Sequence, residues 1–240
     1  MKTAVKTLVL GATIVLLAAE MTACEKENSS NGNENGSGGG STTASWVDLG
    51  LPSGLLWASC NLGATTPEGY GNYYAWGETS LKSDYSWNIY CYANGDYNRL
   101  TKYCNIPRFG HDGFTDTLTT PQAMDDAATQ ALGSGARMPT QAEWQELLDN
   151  TTDTWATQGG TNGRLLTATN GKSLFLPATG YSQRSSCFDD GGYGNYWTSS
   201  LCEDWPSNAY CFTFSDWYQF MNDDARYLGF SVRAVRDGQK

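Results

Sequence analysis

Residues 136–148, ARMPTQAEWQELL, carry the clearest secondary-structure signal in the chain. Thr140 and Glu143 have the spacing of a capping box, in which each side chain accepts a hydrogen bond from the first turn of a helix. An apolar face follows at helical spacing, formed by Trp144, Leu147 and Leu148. The pattern predicts a helix from Thr140 to about Asn150.

A second helix is predicted immediately before this stretch. Thr119, Thr120 and Pro121 would open it, because proline is tolerated in the first helical turn, and Gly133 would end it. Its apolar side would consist of Ala123, Met124, Ala127, Ala128, Ala131 and Leu132.

Both flanks of the two helices have strand-like patterns. The predicted strands are Trp46–Leu49, Leu55–Ser59, Tyr73–Trp76, Arg164–Thr169, Ser173–Leu176, Tyr196–Ser199, Ala209–Phe214 and Phe230–Val235. Helices in the middle and strands at both ends predict one α+β domain with an antiparallel sheet, over residues 46–237. The irregular stretch Gly77–Thr119 is longer than an ordinary loop and is typical of binding or display.

The N-terminal segment, MKTAVKTLVLGATIVLLAAEMTAC, has the order of a secretion signal: lysines, an apolar run and small residues before Cys24. The apolar run, Leu8–Ala19, is shorter than the roughly 20 residues that a membrane-spanning helix needs. Residues 21–24, MTAC, resemble a bacterial lipobox. This implies a signal peptide over residues 1–23 and acylation of Cys24, which would attach the protein to a membrane. An ordinary signal peptide that is cut elsewhere is the alternative.

A tether is predicted to follow over residues 24–45. Residues 28–45, NSSNGNENGSGGGSTTAS, lack large apolar side chains, and such a chain has a reach of roughly 20–25 Å. Glu25, Lys26 and Glu27 resemble the surface-export signals of Bacteroides-type lipoproteins. We therefore expect an outer-membrane lipoprotein that faces the cell surface, with a periplasm-facing protein as the alternative.

The charge of the chain argues against nucleic acid as a partner. The formal net charge is −10, and removal of residues 1–23 would make it −11 because two lysines and one glutamate are lost. Nucleic-acid affinity depends largely on Lys and Arg side chains that neutralise phosphates.

Six cysteines remain besides Cys24: Cys60, Cys91, Cys104, Cys187, Cys202 and Cys211. Disulfides are permitted outside the cytoplasm, and Cys91–Cys104 and Cys202–Cys211 are the pairs considered. Free, partly buried thiols are the alternative. Since no CxxC motif is present, a structural zinc site is not expected.

The sequence gives little support to catalysis. His111 is the single histidine, and the glycine-rich runs do not precede a helix as a phosphate-binding loop would. Acidic pairs occur at Asp125–Asp126, Asp189–Asp190 and Asp223–Asp224. A glycosidase needs two facing carboxylates, whereas neighbouring residues on a strand point to opposite faces, so these pairs do not indicate one. We expect them to be solvated loop residues, or at most calcium ligands. The expectation is a protein that is not an enzyme and needs no cofactor.

The segment from Trp205 to Leu228, WPSNAYCFTFSDWYQFMNDDARYL, has the composition of a recognition surface. Aromatic side chains supply contact area at a low entropy cost, and Ser, Asn and Asp supply adaptable hydrogen bonds. The predicted ligand-binding residues, all expected to be exposed, are Trp205, Ser215, Asp216, Trp217, Tyr218, Gln219, Asp223, Asp224, Arg226 and Tyr227. Tyr210, Phe212 and Phe214 alternate along a strand and are expected in the core.

Six runs occur in a fixed order: VDLGLPSGLLWASCNLGA, YYAWGE, ARMPTQAEWQELL, GKSLFLPATGY, GNYWTSS and GFSVRAVRD. Together they resemble the Fibrobacter succinogenes major paralogous domain of Bacteroides-type lipoproteins, over Val47 to Asp237. That family is similar to the formylglycine-generating-enzyme domain, which implies a C-type-lectin-like fold. The residues of RMPTQAEW that match the family then look like scaffold: Arg137, Met138, Pro139, Thr140, Glu143 and Trp144.

The resemblance implies two functions of different classes. The enzyme branch uses a close pair of cysteines for copper-dependent oxidation, but Cys202 and Cys211 lack that spacing and its surroundings, so no catalytic residue is carried over. The binding branch implies a ligand surface near the C-terminus, here Leu201–Leu228, and some proteins of this fold are diversified there by retroelements. We expect a monomer that binds a protein or glycan on another cell. The alternative is a structural or adhesin-type subunit that forms oligomers.

Overall fold

The computed structural model describes residues 45–133 and 135–238, all of which belong to one compact unit. The predicted signal peptide, the predicted lipidation site Cys24 and the predicted tether up to residue 44 lie outside the described residues. Within the two described ranges, no helix has the length and apolar character needed to cross a membrane.

The described residues form fourteen strands and two α-helices. The first part of the chain contains β1 (Trp46–Asp48), β2 (Leu55–Ala58), β3 (Tyr73–Tyr74), α1 (Ala127–Leu132), β4 (Ala136–Arg137) and α2 (Gln141–Asp149). The second part contains β5 (Thr151–Gln158), β6 (Thr161–Ala168), β7 (Ser173–Pro177), β8 (Tyr181–Gln183), β9 (Ser186–Phe188), β10 (Gly194–Leu201), β11 (Asn208–Phe214), β12 (Gln219–Ala225), β13 (Phe230–Ser231) and β14 (Val235–Asp237).

The strands form four sheets, and with only two short α-helices the described residues are mostly β-structure, an architecture that is α+β or mainly β. The largest sheet has the order β12-β11-β10-β13-β3, and a second has the order β1-β2-β14-β4. A three-stranded sheet, β5-β6-β7, and the hairpin β8-β9 complete the set. The predicted antiparallel pairing is confirmed for every pair of named strands except β10 and β13, which run parallel.

The five-stranded sheet has a hydrophobic core on each face. Neighbouring residues of a strand point to opposite faces, so Tyr196 packs with Trp144, Phe212 and Phe214 in one core. Trp197 lies in the other core, where its ring stacks on Phe230 at a centroid distance of 4.3 Å. The prediction that Phe212 and Phe214 are buried is confirmed, whereas Tyr210 is only partly buried.

Helix α2 agrees with its prediction. The Thr140 hydroxyl accepts the Glu143 N–H at 3.2 Å, and the Glu143 carboxylate accepts the Thr140 N–H at 2.8 Å. Arg137 also donates to both Glu143 oxygens, at 2.7 and 2.6 Å, which anchors the helix start to β4. Trp144 and Leu147 are fully buried on the predicted face.

The other predicted helix is much shorter than expected, because α1 begins at Ala127. Asp126 caps it by accepting the Thr129 N–H at 2.9 Å. Asp125 accepts from Lys102, from Tyr92 at 2.6 Å and from Tyr103. The prediction that Asp125 and Asp126 are solvated is therefore wrong, since both are buried. Their hydrogen bonds hold the chain just before α1 in a non-helical conformation, within the stretch that was predicted to be helical.

All eight predicted strand regions contain a strand, but the last one splits into β13 and β14. Between the two strands, Arg233 is completely buried and donates to the Ala58, Ser59 and Phe175 carbonyls and to Asn61. The strands β4, β5, β8, β9 and β12 were not predicted. The irregular segment Gly77–Thr119 contains two short 3-10 turns, Pro107–Phe109 and His111–Gly113, but no named strand.

Candidate functional site

The ten predicted ligand-binding residues do not share one surface. Trp205 lies in the β10–β11 connection, Ser215 to Gln219 lie at the β11–β12 turn, and Arg226 and Tyr227 follow β12. Strand β11 has seven residues, so its two ends are separated by about 20 Å at roughly 3.3 Å per residue. Because β12 runs antiparallel to β11, Trp205 and Tyr227 lie at one end of the sheet and Trp217 lies at the other.

We call the surface formed by Tyr193, Trp217, Tyr218 and Phe220 the turn end. These side chains are 39%, 88%, 41% and 47% exposed, respectively. The Tyr218 ring lies 6.2 Å from the Tyr193 ring and 5.4 Å from the Phe220 ring, measured between centroids. Tyr193, Tyr218 and Phe220 are thus linked ring to ring, and Trp217, which precedes Tyr218 in the chain, is the most exposed of the four.

A buried arginine holds the β11–β12 turn in place. Arg164 donates to the Ser215 carbonyl through Nε at 3.0 Å and through Nη2 at 2.7 Å, and Nη2 also reaches the Tyr218 carbonyl at 3.3 Å. Asp153 fixes the same guanidinium at 2.6 Å. The Ser215 N–H donates to the Tyr218 carbonyl at 2.8 Å, which closes the turn.

Ser215 consequently supports the turn and does not line its surface. Its prediction as an exposed residue is wrong, because the side chain is buried and its hydroxyl accepts the Trp217 N–H at 3.2 Å. Asp216 is exposed, as predicted, whereas the prediction of exposure is wrong for Gln219 and Tyr227, which are both partly buried. Asp189 and Asp190, which precede Tyr193, are also exposed and add negative charge to this region of the chain.

Trp205 belongs to a different surface. Its side chain is 55% exposed, and its ring contacts the buried Phe109 ring edge-on at 5.6 Å. The Arg108 guanidinium lies over the Trp205 ring at 5.4 Å. Trp205 therefore packs against the long segment Gly77–Thr119, away from the turn end.

Arg226 is the clearest correction among the predicted site residues, because its side chain is completely buried. The guanidinium donates to the Tyr90 hydroxyl at 2.8 Å and to the Tyr103, Pro206 and Lys102 carbonyls at 2.9, 2.8 and 3.1 Å. It also lies over the Trp76, Tyr90 and Tyr103 rings at 5.1 to 5.8 Å. Carbonyl oxygens and aromatic faces replace the water that a charged side chain would otherwise need.

Asp223 and Asp224 lie on strand β12 and not in a loop. Asp223 accepts from Asn208 at 2.9 Å, and burial raises the pKa of Asp224 although the Ala225 N–H donates to it. Neither side chain is freely exposed, so the prediction of exposure is wrong for both. In residues 45–133 and 135–238, no group of three His, Cys, Asp or Glu side chains is arranged to hold a metal ion.

The candidate cysteine pairs are free thiols: Cys91, Cys104, Cys202 and Cys211. The Cys202 thiol lies beside the Tyr210 hydroxyl, whereas Cys211, the next residue after Tyr210, points into the opposite core. Cys202 and Cys211 therefore face away from each other across strand β11.

Comparisons of the chain with family models, curated proteins and solved structures found no match.

Sequence reasoning missed two aromatic residues of the turn end, Tyr193 and Phe220, and a third aromatic residue, Trp87, that contacts the predicted Tyr227. Phe220 directly follows the predicted run Trp217–Gln219, and its place on edge strand β12 explains its exposure. Tyr193 comes from the β9–β10 connection and meets Tyr218 only through the fold. Trp87 contacts Tyr227 at a centroid distance of 5.0 Å from far along the chain, and no local pattern indicates this contact.

Proposed function

We propose that the chain is a ligand-binding lipoprotein that recognises a protein on another cell or surface through the turn end. The observation that carries this proposal is the group of four exposed aromatic side chains at the turn end, two of which, Trp217 and Tyr218, lie on a turn that Arg164 and Asp153 hold in place. Neither a reaction nor a cofactor is part of the proposal.

The turn end combines two properties that favour binding. Aromatic side chains lead the energetics of protein interfaces, and Trp and Tyr are prominent among the residues whose truncation costs most affinity. A turn that is already held by buried hydrogen bonds loses little conformational entropy when a ligand docks. Trp217 would therefore contribute contact area without the cost of ordering its backbone.

The geometry favours a protein over a glycan at this position. Trp217 is 88% exposed at the tip of a turn, so it is suited to enter a depression of a partner surface. Asp216 and the nearby Asp189 would favour a partner with basic residues around such a depression.

The fold assignment and the anchor complete the proposal. The six ordered sequence motifs support a C-type-lectin-like domain, and the observed α+β architecture with helix α2 capped at Thr140 is compatible with it. The N-terminal motif supports acylation of Cys24 and display from the outer membrane. In cell fractionation, we expect the unchanged chain in the membrane fraction and a Cys24→Ala variant outside it.

The ligand proposal can be tested by probing an array of extracellular bacterial and host proteins with the full chain. Trp217→Ala should weaken binding to the captured protein by about thirtyfold or more, because truncation of a central aromatic residue typically costs about 2 kcal/mol or more. Trp205→Ala is the matched control, since it removes an exposed tryptophan at the other end of β11 and should leave binding unchanged. Equal binding by the Trp217→Ala variant and the unchanged chain would overturn the site.

Diversification by a retroelement is an extension of this proposal that DNA sequence can test. Within Leu201–Leu228, variation would be tolerated at exposed residues such as Asp216, Trp217 and Phe220, but not at the buried Phe212 or Arg226. A reverse-transcriptase gene and a near-copy of these codons beside the gene would support the extension, and their absence would remove it.

A further inference from the structure

A polar cavity of about 520 Å³ lies at the other end of the five-stranded sheet from Trp217. We call it the loop-end cavity. Its volume falls in the range of roughly 300–1,000 Å³ that is typical of small-molecule sites. The lining residues used in this argument are Asp84, Ser86, Trp87, Gln183, Arg184 and Tyr227.

Two aromatic rings form part of the cavity wall. The Trp87 and Tyr227 rings lie 5.0 Å apart between centroids and are tilted by 58°. The Tyr227 hydroxyl accepts a hydrogen bond from Gln183 Nε2 at 2.7 Å, and Trp87 also packs edge-on against the buried Tyr90 ring at 5.5 Å. Both rings are therefore held in place before any ligand arrives.

Two oxygen atoms in the wall lack a partner. Asp84 Oδ1 and Ser86 Oγ are buried and make no hydrogen bond to the part of the chain that the structure describes. Because both atoms are enclosed, a ligand hydroxyl group can reach them only when the Asp84 or Ser86 side chain turns towards the cavity, and such a contact would give each oxygen the partner that it lacks. Carboxylate and hydroxyl oxygens are suitable partners for ligand hydroxyl groups.

The backbone around the cavity is fixed on two sides. The Tyr85 N–H donates to the Arg184 carbonyl at 2.9 Å, and the Arg184 N–H donates to the Tyr85 carbonyl at 2.7 Å. This bridge joins the long irregular segment to the tip of the β8–β9 hairpin. Arg184 has a φ of 54°, a left-handed conformation that is uncommon for residues other than glycine. The bridge pins this conformation at the rim of the cavity.

From this geometry we propose that the loop-end cavity is a second binding site, and that its ligand is a neutral saccharide of one or two units. The faces of a sugar ring carry C–H groups that pack on aromatic rings, and its hydroxyl groups would meet Asp84, Ser86 and Gln183. The opposite charges of Asp84 and Arg184 balance, which fits an uncharged ligand. This site is independent of the protein-binding role that we assign to Trp217.

Titration with single sugars tests the proposal. The full chain is labelled with 5-fluorotryptophan, and Trp87→Phe identifies the Trp87 signal in the fluorine NMR spectrum. The probes are the methyl glycosides of glucose, galactose, mannose, fucose and N-acetylglucosamine. At least one of them should shift the Trp87 signal in a saturable manner, and Asp84→Asn should weaken that affinity by about tenfold or more.

Two controls keep the result specific. Trp217→Phe should leave the sugar affinity unchanged, since Trp217 lies at the opposite end of the sheet. The sugar-binding proposal can therefore be judged independently of the protein-binding proposal. Unchanged signals of the remaining tryptophans will show that the Asp84→Asn variant is folded. The proposal is overturned if no glycoside shifts the Trp87 signal, or if Asp84→Asn binds as tightly as the unchanged chain.

Discussion

Two buried arginines determine much of the interior. Arg226 and Arg233 are completely buried, and each donates four hydrogen bonds, mostly to backbone carbonyls. Each guanidinium joins segments that are distant in sequence: Arg226 lies 123 residues from Tyr103, and Arg233 lies 175 residues from Ala58. Each arginine side chain thus supplies hydrogen bonds to backbone carbonyls that would otherwise be made within a strand or helix.

Replacement of Arg226 by methionine should destabilise the protein. The change keeps an apolar stem but leaves the Tyr103 and Pro206 carbonyls without donors, so we expect a loss of about 3 kcal/mol or more. Urea denaturation would measure the free energy of unfolding.

The matched control is Arg108→Met, which removes an exposed guanidinium from the same end of the sheet and should change the free energy of unfolding by only about 0.5 kcal/mol. A loss of similar size in both variants would contradict the role assigned to Arg226.

At the scale of elements, local signals determined which predictions succeeded. Helix α2 was predicted because its cap, Thr140 with Glu143, lies within one helical turn. Strands β5 and β12 were missed because their sequences, TTDTWATQ and QFMNDDA, are largely polar. Only their pairing with β6 and β11 in the folded protein identifies them as strands. Helix α1 was overestimated because Asp125 engages Lys102 and two tyrosines, which are contacts that no helical pattern can indicate.

The same distinction applies to the candidate site. The run Ser215–Gln219 was singled out by its composition, and Trp217 and Tyr218 are indeed exposed. The distance in space between this run and Trp205 could not be predicted, because it depends on the length and pairing of β11 and β12. The burial of Arg226 depends on aromatic rings from a segment more than a hundred residues earlier.

The cap of helix α2 predicts a pH dependence of stability. Burial alone would raise the Glu143 pKa, but hydrogen bonds from Arg137 and from the Thr140 N–H together hold it below its usual value of 4.5. The carboxylate therefore stabilises the fold above pH 4.5, and this contribution is lost as the pH falls through the lower pKa of the folded state.

Glu143→Gln should accordingly lower the free energy of unfolding by about 1 kcal/mol at neutral pH. The difference between the variant and the unchanged chain should shrink toward zero as Glu143 becomes protonated in acid. Urea denaturation at a series of pH values would measure it. Glu203→Gln, a change at an exposed carboxylate, should show no such trend, and a pH-independent loss for Glu143→Gln would argue against the mechanism.

Packing and hydrogen bonds stabilise the molecule as a whole, and the cysteines in its interior are free thiols that form no disulfide bond. Cys104, Cys202 and Cys211 are buried, and burial raises the pKa of each of these thiols. Both effects oppose reaction, because the reactive form of cysteine is the exposed thiolate.

We therefore expect Cys104, Cys202 and Cys211 to resist iodoacetamide in the native protein and to react after denaturation. Mass spectrometry of the digested protein would locate the labels. A reducing agent should leave the midpoint of thermal unfolding unchanged. A lower midpoint under reducing conditions, or a disulfide-linked peptide, would show that a bridge forms after all.

The association state separates the two broad functional interpretations. A ligand-binding monomer keeps Trp205 and Trp217 exposed, whereas an adhesin-type subunit would cover them in an oligomer. The net charge of −10 favours separate copies at low ionic strength through mutual repulsion.

The position of β1 has a mechanical consequence. The chain before Ser45 joins the fold through this strand, which has three residues and lies at the edge of its sheet. A pull on the N-terminal chain would load the β1–β2 pairing, the bond from the Ser59 N–H to the Ser45 carbonyl, and the Trp46 ring under Arg236. These contacts, together with the packing of Trp46 and Val47 against the two hydrophobic cores, would have to yield before the strand peels away. Under a pull on the N-terminal chain, this edge strand would therefore detach before force reaches the five-stranded sheet.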